Sequence, residues 1–311
     1  MASACVLSKY GAPDVLEWRT VELPEPSPSE IRIKVRVSGV GPTDLKIRRG
    51  ELDGAFELPD PPVLGFETAG TVDAVGAELS GVAVGDEVAA WLPTLGGYAE
   101  YVLASTWAHK PPAVAWSDAG ALPASVEAAV GTLRQLDVAT GETLLILGAG
   151  GSVGMIATQL ALRQGLKVIG AVGAHDQRLM HELGARPVHY GMNLLDNVGA
   201  ITNGVDATLD AAGMGGLEDA ITLTGGTERV ITLADGRARE LGVRFSLATA
   251  DRAPDALDLG LQLLAEGELR LRPQESLPMP DAPLAHRVLE SRRAGRKLLL
   301  YIGGSSADPS R

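Results

Sequence analysis

The first third of the chain has the hydrophobic pattern of short β-strands separated by turns. Apolar and basic residues alternate over residues 31–38, so one face of a strand there is expected to be buried while the other meets water. Prolines within residues 24–28 break any helix and supply the turn into that strand. Further short apolar runs, punctuated by Gly and Pro, occupy residues 63–64, 70–75, 87–92 and 98–103. This spacing predicts a small irregular barrel or sandwich.

From about residue 120 the pattern changes to strands that alternate with helices. The continuous apolar run Thr143–Leu147 suits a strand buried on both faces, and apolar residues then repeat at helical spacing over 153–161. Gly165 is expected to end that helix, and Lys167–Val172 is predicted as the next strand. The alternation continues through residues 178–183, 187–190, 205–209, 220–223 and 230–233. This order predicts a parallel, doubly wound sheet.

The end of the chain has the character of its beginning. After a predicted helix over 255–266, short segments broken by proline lead to a last helix over 284–293 and a strand over 297–302. We therefore expect the chain to return to its first domain. The predicted domains are residues 1–118 plus 268–311, and residues 119–267.

Composition and charge narrow the possible partners. The 311 residues carry 27 Lys+Arg and 39 Asp+Glu, and the net charge of −12 opposes nucleic-acid binding, which needs clustered basic residues. A single cysteine, Cys5, excludes an internal disulfide framework and favours a reducing compartment. The first residues lack the apolar core of a signal peptide, so a cytoplasmic location is expected. The uncharged stretch 143–162 is long enough to cross a bilayer, but its central glycines favour a turn and no membrane contact.

The strongest chemical feature is a glycine-rich loop between the strand Thr143–Leu147 and the following helix. Its spacing is Gly148-x-x-Gly151-x-x-Gly154, and Val153 stands where a strict Gly-x-Gly-x-x-Gly motif has its third glycine. Backbone N–H groups at such a helix start point outward, where the helix dipole favours a phosphate. Close packing of helix on strand without a ligand is the alternative. The predicted contacts to the diphosphate of a dinucleotide are Gly150, Gly151, Ser152, Val153 and Gly154.

The end of the second strand of this domain indicates which dinucleotide is bound. Proteins that prefer NAD usually place an acid there, about 20 residues past the glycines, to bind the ribose 2′-OH. Here Gly173 occupies the expected tip, and Arg178 is able to pair with a 2′-phosphate in bidentate fashion. Asp176 can serve as the missing acid, although its position favours the N-cap of the next helix. The composition of this tip predicts NADPH.

Four segments carry a family resemblance through their order and spacing: Gly-Asp-Glu-Val at 85–88, Gly-Gly-Tyr-Ala-Glu-Tyr-Val at 96–102, the glycine loop 148–154, and Glu-Leu-Gly-Ala at 182–185. From about residue 4 to 302 the chain resembles the medium-chain dehydrogenase/reductase superfamily, most of all its zinc-free quinone-oxidoreductase branch. The resemblance implies an α/β protein with a GroES-like β-barrel catalytic domain, a Rossmann domain with a doubly wound parallel sheet, and NADPH in a cleft between them.

The resemblance also implies site residues. Pro42 and Leu233 are expected to contact the cofactor, and Tyr190 matches a tyrosine near the adenosine 2′-phosphate, with a packing aromatic at a strand end as the alternative. Relatives with catalytic zinc place Cys and His where this chain has Gly41 and Phe66, and neither of these is able to bind a metal. We therefore expect no metal ion.

Without zinc, the plausible chemistry is hydride transfer to a carbon conjugated to a carbonyl, which needs proximity and a donor for the enolate oxygen. The segment 40–50 lies under the nicotinamide in relatives, and quinone reductases have tyrosines where this chain has Lys46 and Leu52. Their loss argues against simple quinone reduction. Asp44 and Lys46 remain as catalytic candidates, with a helix-capping aspartate and a surface lysine as the alternatives.

The segment 240–248 matches a strand that, in relatives, pairs with its symmetry mate, so a two-fold homodimer is expected. The leading hypothesis is a zinc-independent, NADPH-dependent oxidoreductase that transfers hydride to a small enone, quinone-like or other α,β-unsaturated carbonyl substrate. Two alternatives stay open. One is a non-redox cyclase or isomerase of a specialised biosynthetic pathway on the same scaffold, and the other is a non-enzymatic binding protein.

Overall fold

The computed structural model describes residues 1–249, 251–291 and 295–303, so the last eight residues of the predicted first domain lie outside it. Contacts divide the chain into two units. The first comprises Met1–Ala124, Leu257–Glu268 and Pro273–Arg311, and the second comprises Ser125–Ala256 and Leu269–Arg272. The domain limits at residues 118 and 268 stay predictions.

Strands occur along the whole chain and are numbered in its order. They are β1 Ala2–Leu7, β2 Leu16–Val21, β3 Ile31–Val40, β4 Glu67–Val75, β5 Glu87–Trp91, β6 Tyr101–Ala104, β7 Thr106–His109, β8 Thr143–Leu147, β9 Lys167–Val172, β10 Arg186–His189, β11 Ala207–Asp210, β12 Val230–Thr232, β13 Arg244–Phe245, β14 Gln274–Pro278 and β15 Lys297–Tyr301.

Helices are concentrated after residue 115, and short 3-10 turns occur at Pro13–Val15, Ala174–Asp176 and Met279–Asp281. The α-helices are α1 Pro42–Arg48, α2 Trp116–Ala121, α3 Pro123–Leu136, α4 Ser152–Arg163, α5 Gln177–Glu182, α6 Leu194–Gly199, α7 Leu217–Thr224, α8 Ala238–Leu241, α9 Ala256–Ala265 and α10 Ala282–Glu290.

The first unit is built around a sheet with the order β14-β15-β3-β4-β5-β7, and β6 also pairs with β3. The strand β3 pairs with β4 along one edge, with shifts of register, and its other edge pairs with β6 over residues 31–34 and with β15 over residues 37–40. The predicted alternation in β3 is confirmed: Ile31, Ile33 and Val35 are buried, whereas Lys34 and Arg36 are exposed. The C-terminal strand β15 lies inside the sheet, between β14 and β3.

The second unit contains a parallel sheet with the order β10-β9-β8-β11-β12-β13. Counted from β8, this is the order 3-2-1-4-5-6 of a Rossmann fold, so the predicted doubly wound sheet is confirmed. Leu144 to Leu147 in β8 are fully buried, as a strand covered on both faces requires. The strand order reverses between β8 and β11, and ligands of such sheets bind beyond the strand ends at this switch point.

Some predicted elements differ from those observed. Residues 63–64 form only an isolated bridge from Val63 to Val6, and the strand predicted from residue 98 begins at Tyr101. Residues 220–223 lie within the helix α7, between β11 and β12, which fits the predicted alternation. The segment 240–248 is mostly not a strand, because α8 ends at Leu241 and a left-handed Gly242 separates it from the two-residue β13.

The last predicted helix ends at Glu290, and residues 292–293 lie outside the described part of the chain. The uncharged stretch 143–162 is divided between β8, the glycine loop and α4. Among the described helices, none combines the length and the apolar character that a membrane crossing needs.

Candidate functional site

The glycine loop joins β8 to α4 at the switch point of the sheet. Gly148 has a φ of +78°, in the left-handed region, and its carbonyl accepts a 2.9 Å hydrogen bond from the amide of Gly151. A Cβ atom on Gly148 would lie 2.9 Å from the Cβ of Ala212, in the turn that follows β11. Glycine is therefore required here both by conformation and by close approach.

The N-terminus of α4 offers backbone donors to an anion. Gly151 is its N-cap and carries no side chain, and the intrahelical hydrogen bonds begin when the amide of Met155 donates to Gly151 over 2.9 Å. The amides of Ser152, Val153 and Gly154 consequently have no acceptor within the helix. Ser152 and Val153 are half-buried and Gly151 is exposed. The dipole of this twelve-residue helix adds a partial positive charge at the same place.

Gly154 has a different role from Gly151. A Cβ atom on Gly154 would lie 2.3 Å from the carbonyl oxygen of Gly148 and 2.7 Å from the Cα of Ala149. This glycine packs the first turn of α4 directly on the loop. On Gly151 the nearest atom to a Cβ would be the Gly148 oxygen at 3.3 Å. Close packing of the helix on the loop thus explains why residue 154 is glycine, but it does not explain why residue 151 is glycine.

The tip of β9 is where the sequence predicted a 2′-phosphate. Gly173 is half-buried with extended backbone, and a Cβ there would meet the ring of His175 at 3.4 Å, an ordinary contact. The side chain of Arg178 is 90% exposed and donates a 2.7 Å hydrogen bond to Glu182, one helical turn later. In this arrangement Arg178 is held by Glu182 rather than by a group at the strand tip.

Asp176 stands at the N-cap of the next helix, α5, as predicted, but its side chain makes no capping hydrogen bond among the described residues. That carboxylate lies against the glycine loop, where a Cβ on Gly150 would be 2.2 Å from Oδ2. His175 Nε2 lies 3.1 Å and Arg272 Nη1 lies 3.4 Å from the same oxygen. The carboxylate is therefore held by the guanidinium of Arg272 and the imidazole of His175, and not by the amides of the helix.

Tyr190 follows β10 and Leu233 follows β12, two strands on opposite sides of β8 in the sheet. The Tyr190 hydroxyl donates to the carbonyl oxygen of Gly215, and burial of the ring, with the nearby charge of Asp210, raises the Tyr190 pKa to about 12. This bond agrees with the packing alternative for Tyr190. The half-buried Leu233 donates its amide to the Asp210 carbonyl over 2.9 Å.

Sequence reasoning missed Asp210, which shapes the switch-point crevice. Its carboxylate accepts 3.0 Å hydrogen bonds from the amides of Ala212 and Gly213, and a 2.7 Å bond from the hydroxyl of Thr232. Burial raises the pKa of Asp210 while these donors act in the opposite direction. The side chain therefore fixes the turn after β11, next to Gly148. The signal that could have identified it is an aspartate directly after the predicted strand segment 205–209.

In the first unit, α1 carries Pro42, Asp44 and Lys46. Oδ2 of Asp44 accepts from the amide of Gly41 at 2.8 Å, and Oδ1 accepts from the amide of Gly65 at 3.0 Å. The carboxylate is 1% exposed, and burial raises its pKa to about 6. Pro42 is exposed at the first position of the helix, and Lys46 is half-buried. Asp44 has the contacts of a helix cap, and its catalytic role stays a prediction.

A buried Tyr98–His286 pair lies in the same unit as Asp44. The Tyr98 hydroxyl is 3.3 Å from His286 Nε2, and the two rings meet edge to face. Burial lowers the pKa of His286 to about 3, with the charge of Arg48 acting in the same direction. The imidazole is therefore neutral at physiological pH. Its Nδ1 has no hydrogen-bond partner among the residues that the structure describes.

The chemistry of residues 41 and 66 does not suit a metal. Gly41 has no side chain, and the ring of Phe66 packs edge to face on Phe56 with centroids 5.3 Å apart. Within the described ranges, no three His, Cys, Asp or Glu side chains are grouped as a metal site requires. The donors that a catalytic zinc ion needs are thus missing from these two positions.

Comparison with known proteins places these features in a family. The model of the alcohol dehydrogenase GroES-like domain matches residues 27–113, and that of the zinc-binding dehydrogenase matches residues 183–300. The first match confirms the predicted GroES-like domain.

Relatives extend over most of the chain. The quinone oxidoreductase of Homo sapiens is 30% identical and covers 77% of this chain and 75% of its own. The 2-methylene-furan-3-one reductase of Solanum lycopersicum is 27% identical and covers 94% of this chain and 77% of its own. The solved quinone oxidoreductase of Pseudomonas syringae pv. Tomato DC3000 has a TM-score of 0.84 and 26% identity, covering 97% of this chain and 100% of that one. This chain belongs to the quinone oxidoreductase family of the medium-chain dehydrogenase/reductase superfamily and is an oxidoreductase.

Proposed function

We propose that the protein is a zinc-independent, NADPH-dependent reductase of small α,β-unsaturated carbonyl compounds, such as enones or quinone-like substrates. A bound nicotinamide dinucleotide supplies the hydride for the β-carbon of the substrate. The observation that carries the proposal is the N-terminus of α4, which points its glycine-capped amides into the switch point of a Rossmann sheet.

The residues of the second unit fit a dinucleotide. The amides of Ser152, Val153 and Gly154 are suited to the diphosphate, and Gly151 leaves room for it to approach. Gly150 adds no side chain to the loop. The open tip at Gly173 with Arg178 nearby supports NADPH, and Tyr190 and Leu233 border the strand ends where a nucleotide would lie.

The substrate class rests on two observations. The name of the tomato relative describes reduction of a methylene group conjugated to a ring ketone. In addition, the tyrosines of quinone reductases are replaced here by Lys46 and Leu52. We assign Lys46, half-buried on α1, as the donor for the developing enolate oxygen, since an ammonium group is able to give up a proton. Asp44 holds α1 in place through Gly41 and Gly65.

The test is to follow NADPH absorbance and product together with 2-cyclohexenone and a methylene ketone as substrates. One NADPH consumed per saturated ketone formed supports the proposal. Conversion without NADPH consumption favours a cyclase or isomerase instead, and the absence of any NADPH binding refutes the proposal. The variant Gly151→Ala should lose cofactor affinity, whereas Gly199→Ala, with open space around its Cβ, should behave as the parent protein.

We also propose that the protein is a homodimer. The edge strand β13 leaves one side without a strand neighbour in the described sheet, and Phe245 and Leu247 nearby are 42% and 64% exposed. Pairing with a second copy would cover this edge. A cytoplasmic location is part of the same proposal, and it agrees with the lone Cys5, a buried thiol whose pKa burial raises to about 12.

A further inference from the structure

A short segment late in the chain belongs to the second unit and lies near the glycine loop. Residues Leu269–Arg272 belong to this unit, although the chain on both sides belongs to the first. The side chain of Gln159, in the middle of α4, donates a 2.8 Å hydrogen bond to the Arg270 carbonyl and accepts another of 2.8 Å from the Arg270 amide. This pair fixes the segment on α4 and determines where Arg272 projects.

Arg272 is largely buried and has spare donors. Its side chain is 12% exposed, and its contact with Asp176 is a single one, of 3.4 Å. Arg252, a buried arginine of the same unit, has more acceptors: it donates to both oxygens of Glu127 and to the hydroxyl of Ser246. Asp176 is the only acceptor for Arg272 among the residues that the structure describes, so most of its guanidinium hydrogens remain for a ligand.

The Asp176–Arg272 pair lies where NADPH and NADH differ. The oxygen of Asp176 that contacts Arg272 also lies against Gly150 in the glycine loop. Asp176 follows the tip of β9, the place at which Rossmann proteins contact the 2′ position of the adenosine ribose. A carboxylate and a guanidinium at this place have opposite effects on a 2′-phosphate, because one repels it and the other binds it.

We propose that Arg272 is a specificity-determining residue that binds the 2′-phosphate of NADPH, and that Asp176 is its counter-ion in the free protein. This inference rests on the proposed NADPH-dependent function. On binding, the guanidinium exchanges one long contact with a carboxylate for a bidentate contact with a phosphate dianion. The charge of Asp176 stays close to that phosphate and limits the preference for NADPH over NADH. The two residues together therefore determine the ratio of the affinities for NADPH and NADH.

The experiment measures binding of adenosine 2′,5′-bisphosphate and of 5′-AMP by calorimetry, because these probes differ at the 2′ position and need no redox chemistry. We expect Arg272→Gln to weaken the bisphosphate about 10- to 100-fold and 5′-AMP less than about 3-fold, as loss of a charge-assisted pair implies. Arg272→Lys should recover part of the loss. Asp176→Asn should strengthen the bisphosphate several-fold, and the advantage of the bisphosphate should shrink as salt rises.

Arg270→Gln is the matched control. This variant removes the same charge from the same segment. The Arg270 guanidinium, however, is 62% exposed and pairs with Glu182 at 3.7 Å, so the ratio of the affinities for the bisphosphate and for 5′-AMP should not change. The inference is overturned if Arg272→Gln leaves the ratio unchanged or weakens both probes equally, or if Asp176→Asn weakens 5′-AMP tenfold. Selective bisphosphate binding without NADPH-linked reduction of any enone would leave Arg272 in its role and refute the proposed function alone.

Discussion

Replacing Gly154 by alanine tests how tightly the first turn of α4 must pack on the glycine loop. The added Cβ would lie 2.3 Å from the Gly148 oxygen, more than 1 Å closer than an ordinary contact, and the obstacle is backbone that has no rotamer to change. Overpacking of this kind costs about 1–3 kcal/mol. Alanine in a helix offsets about 0.5–1 kcal/mol of that cost. The net loss should be about 1–2 kcal/mol.

The loss is measured as the midpoint of thermal unfolding, where it corresponds to a decrease of about 3–6 °C at about 3 °C per kcal/mol. Because the loop must move away from the helix, NADPH should also bind at least about tenfold more weakly. Gly151→Ala separates the two effects. Its Cβ would meet the nearest atom at 3.3 Å and alanine is a poorer N-cap than glycine, so it should lower the midpoint less than Gly154→Ala does and still lose the cofactor. Gly199→Ala has an unobstructed Cβ and should change neither quantity.

The reasoning would be refuted if Gly154→Ala kept both the unfolding midpoint and the NADPH affinity of the parent protein. It would also be refuted if Gly151→Ala bound NADPH normally, because the diphosphate would then not approach the N-terminus of α4. A lower midpoint for Gly154→Ala with unchanged affinity would assign this glycine to packing alone.

Three further changes test other parts of the structure. His286→Gln should remove a loss of stability that the parent protein suffers as pH falls. The histidine of the unfolded chain binds a proton below about pH 6.5, whereas the buried histidine binds one only near pH 3. Between these pH values the free energy of unfolding of the parent therefore decreases by up to about 1.4 kcal/mol per pH unit. The difference between the unfolding midpoints of the parent and the variant should shrink from pH 7.5 to pH 5. A constant difference would contradict the lowered pKa of His286. Asp44→Asn places an amide donor against the N–H of Gly41 or Gly65. It should lower the free energy of unfolding by about 1–3 kcal/mol, measured by denaturant unfolding. An unchanged midpoint would mean that these two hydrogen bonds are dispensable. If the proposed homodimer forms through the β13 edge, Phe245→Glu should give monomers in sedimentation experiments. A dimer that persists in this variant would exclude the β13 edge as its interface.

The second unit was predictable from the sequence because its signals are local. The run Thr143–Leu147, the glycines after it and the apolar spacing of the next helix each depend on neighbouring residues, and β8 and β9 have the predicted limits. The segment 240–248 was misassigned because Gly242 ends α8 there, and a resemblance to a strand does not show where a helix stops.

The parts that the sequence did not reveal depend on distant contacts. The pairing of β1 with β2 spans the connection 8–15, which is longer than a tight hairpin turn, so no short motif marks the two strands as partners. The contact of Asp176 with Arg272 joins residues that are 96 positions apart, so no spacing rule brings them together. The N-cap position of Asp176 follows from the local sequence, whereas the contact of its carboxylate with Arg272 depends on tertiary structure.

The position of β15 inside the first unit has a consequence for biosynthesis. Its residues pair with Val37 to Val40 of β3, which leave the ribosome about 250 residues earlier. The inner part of that sheet is therefore completed only after residues 297–301 have been translated, and these follow every residue of the second unit. Until then the edge of β3 over Val37 to Val40 has no partner strand, and an unpaired strand edge is a template for pairing with other chains.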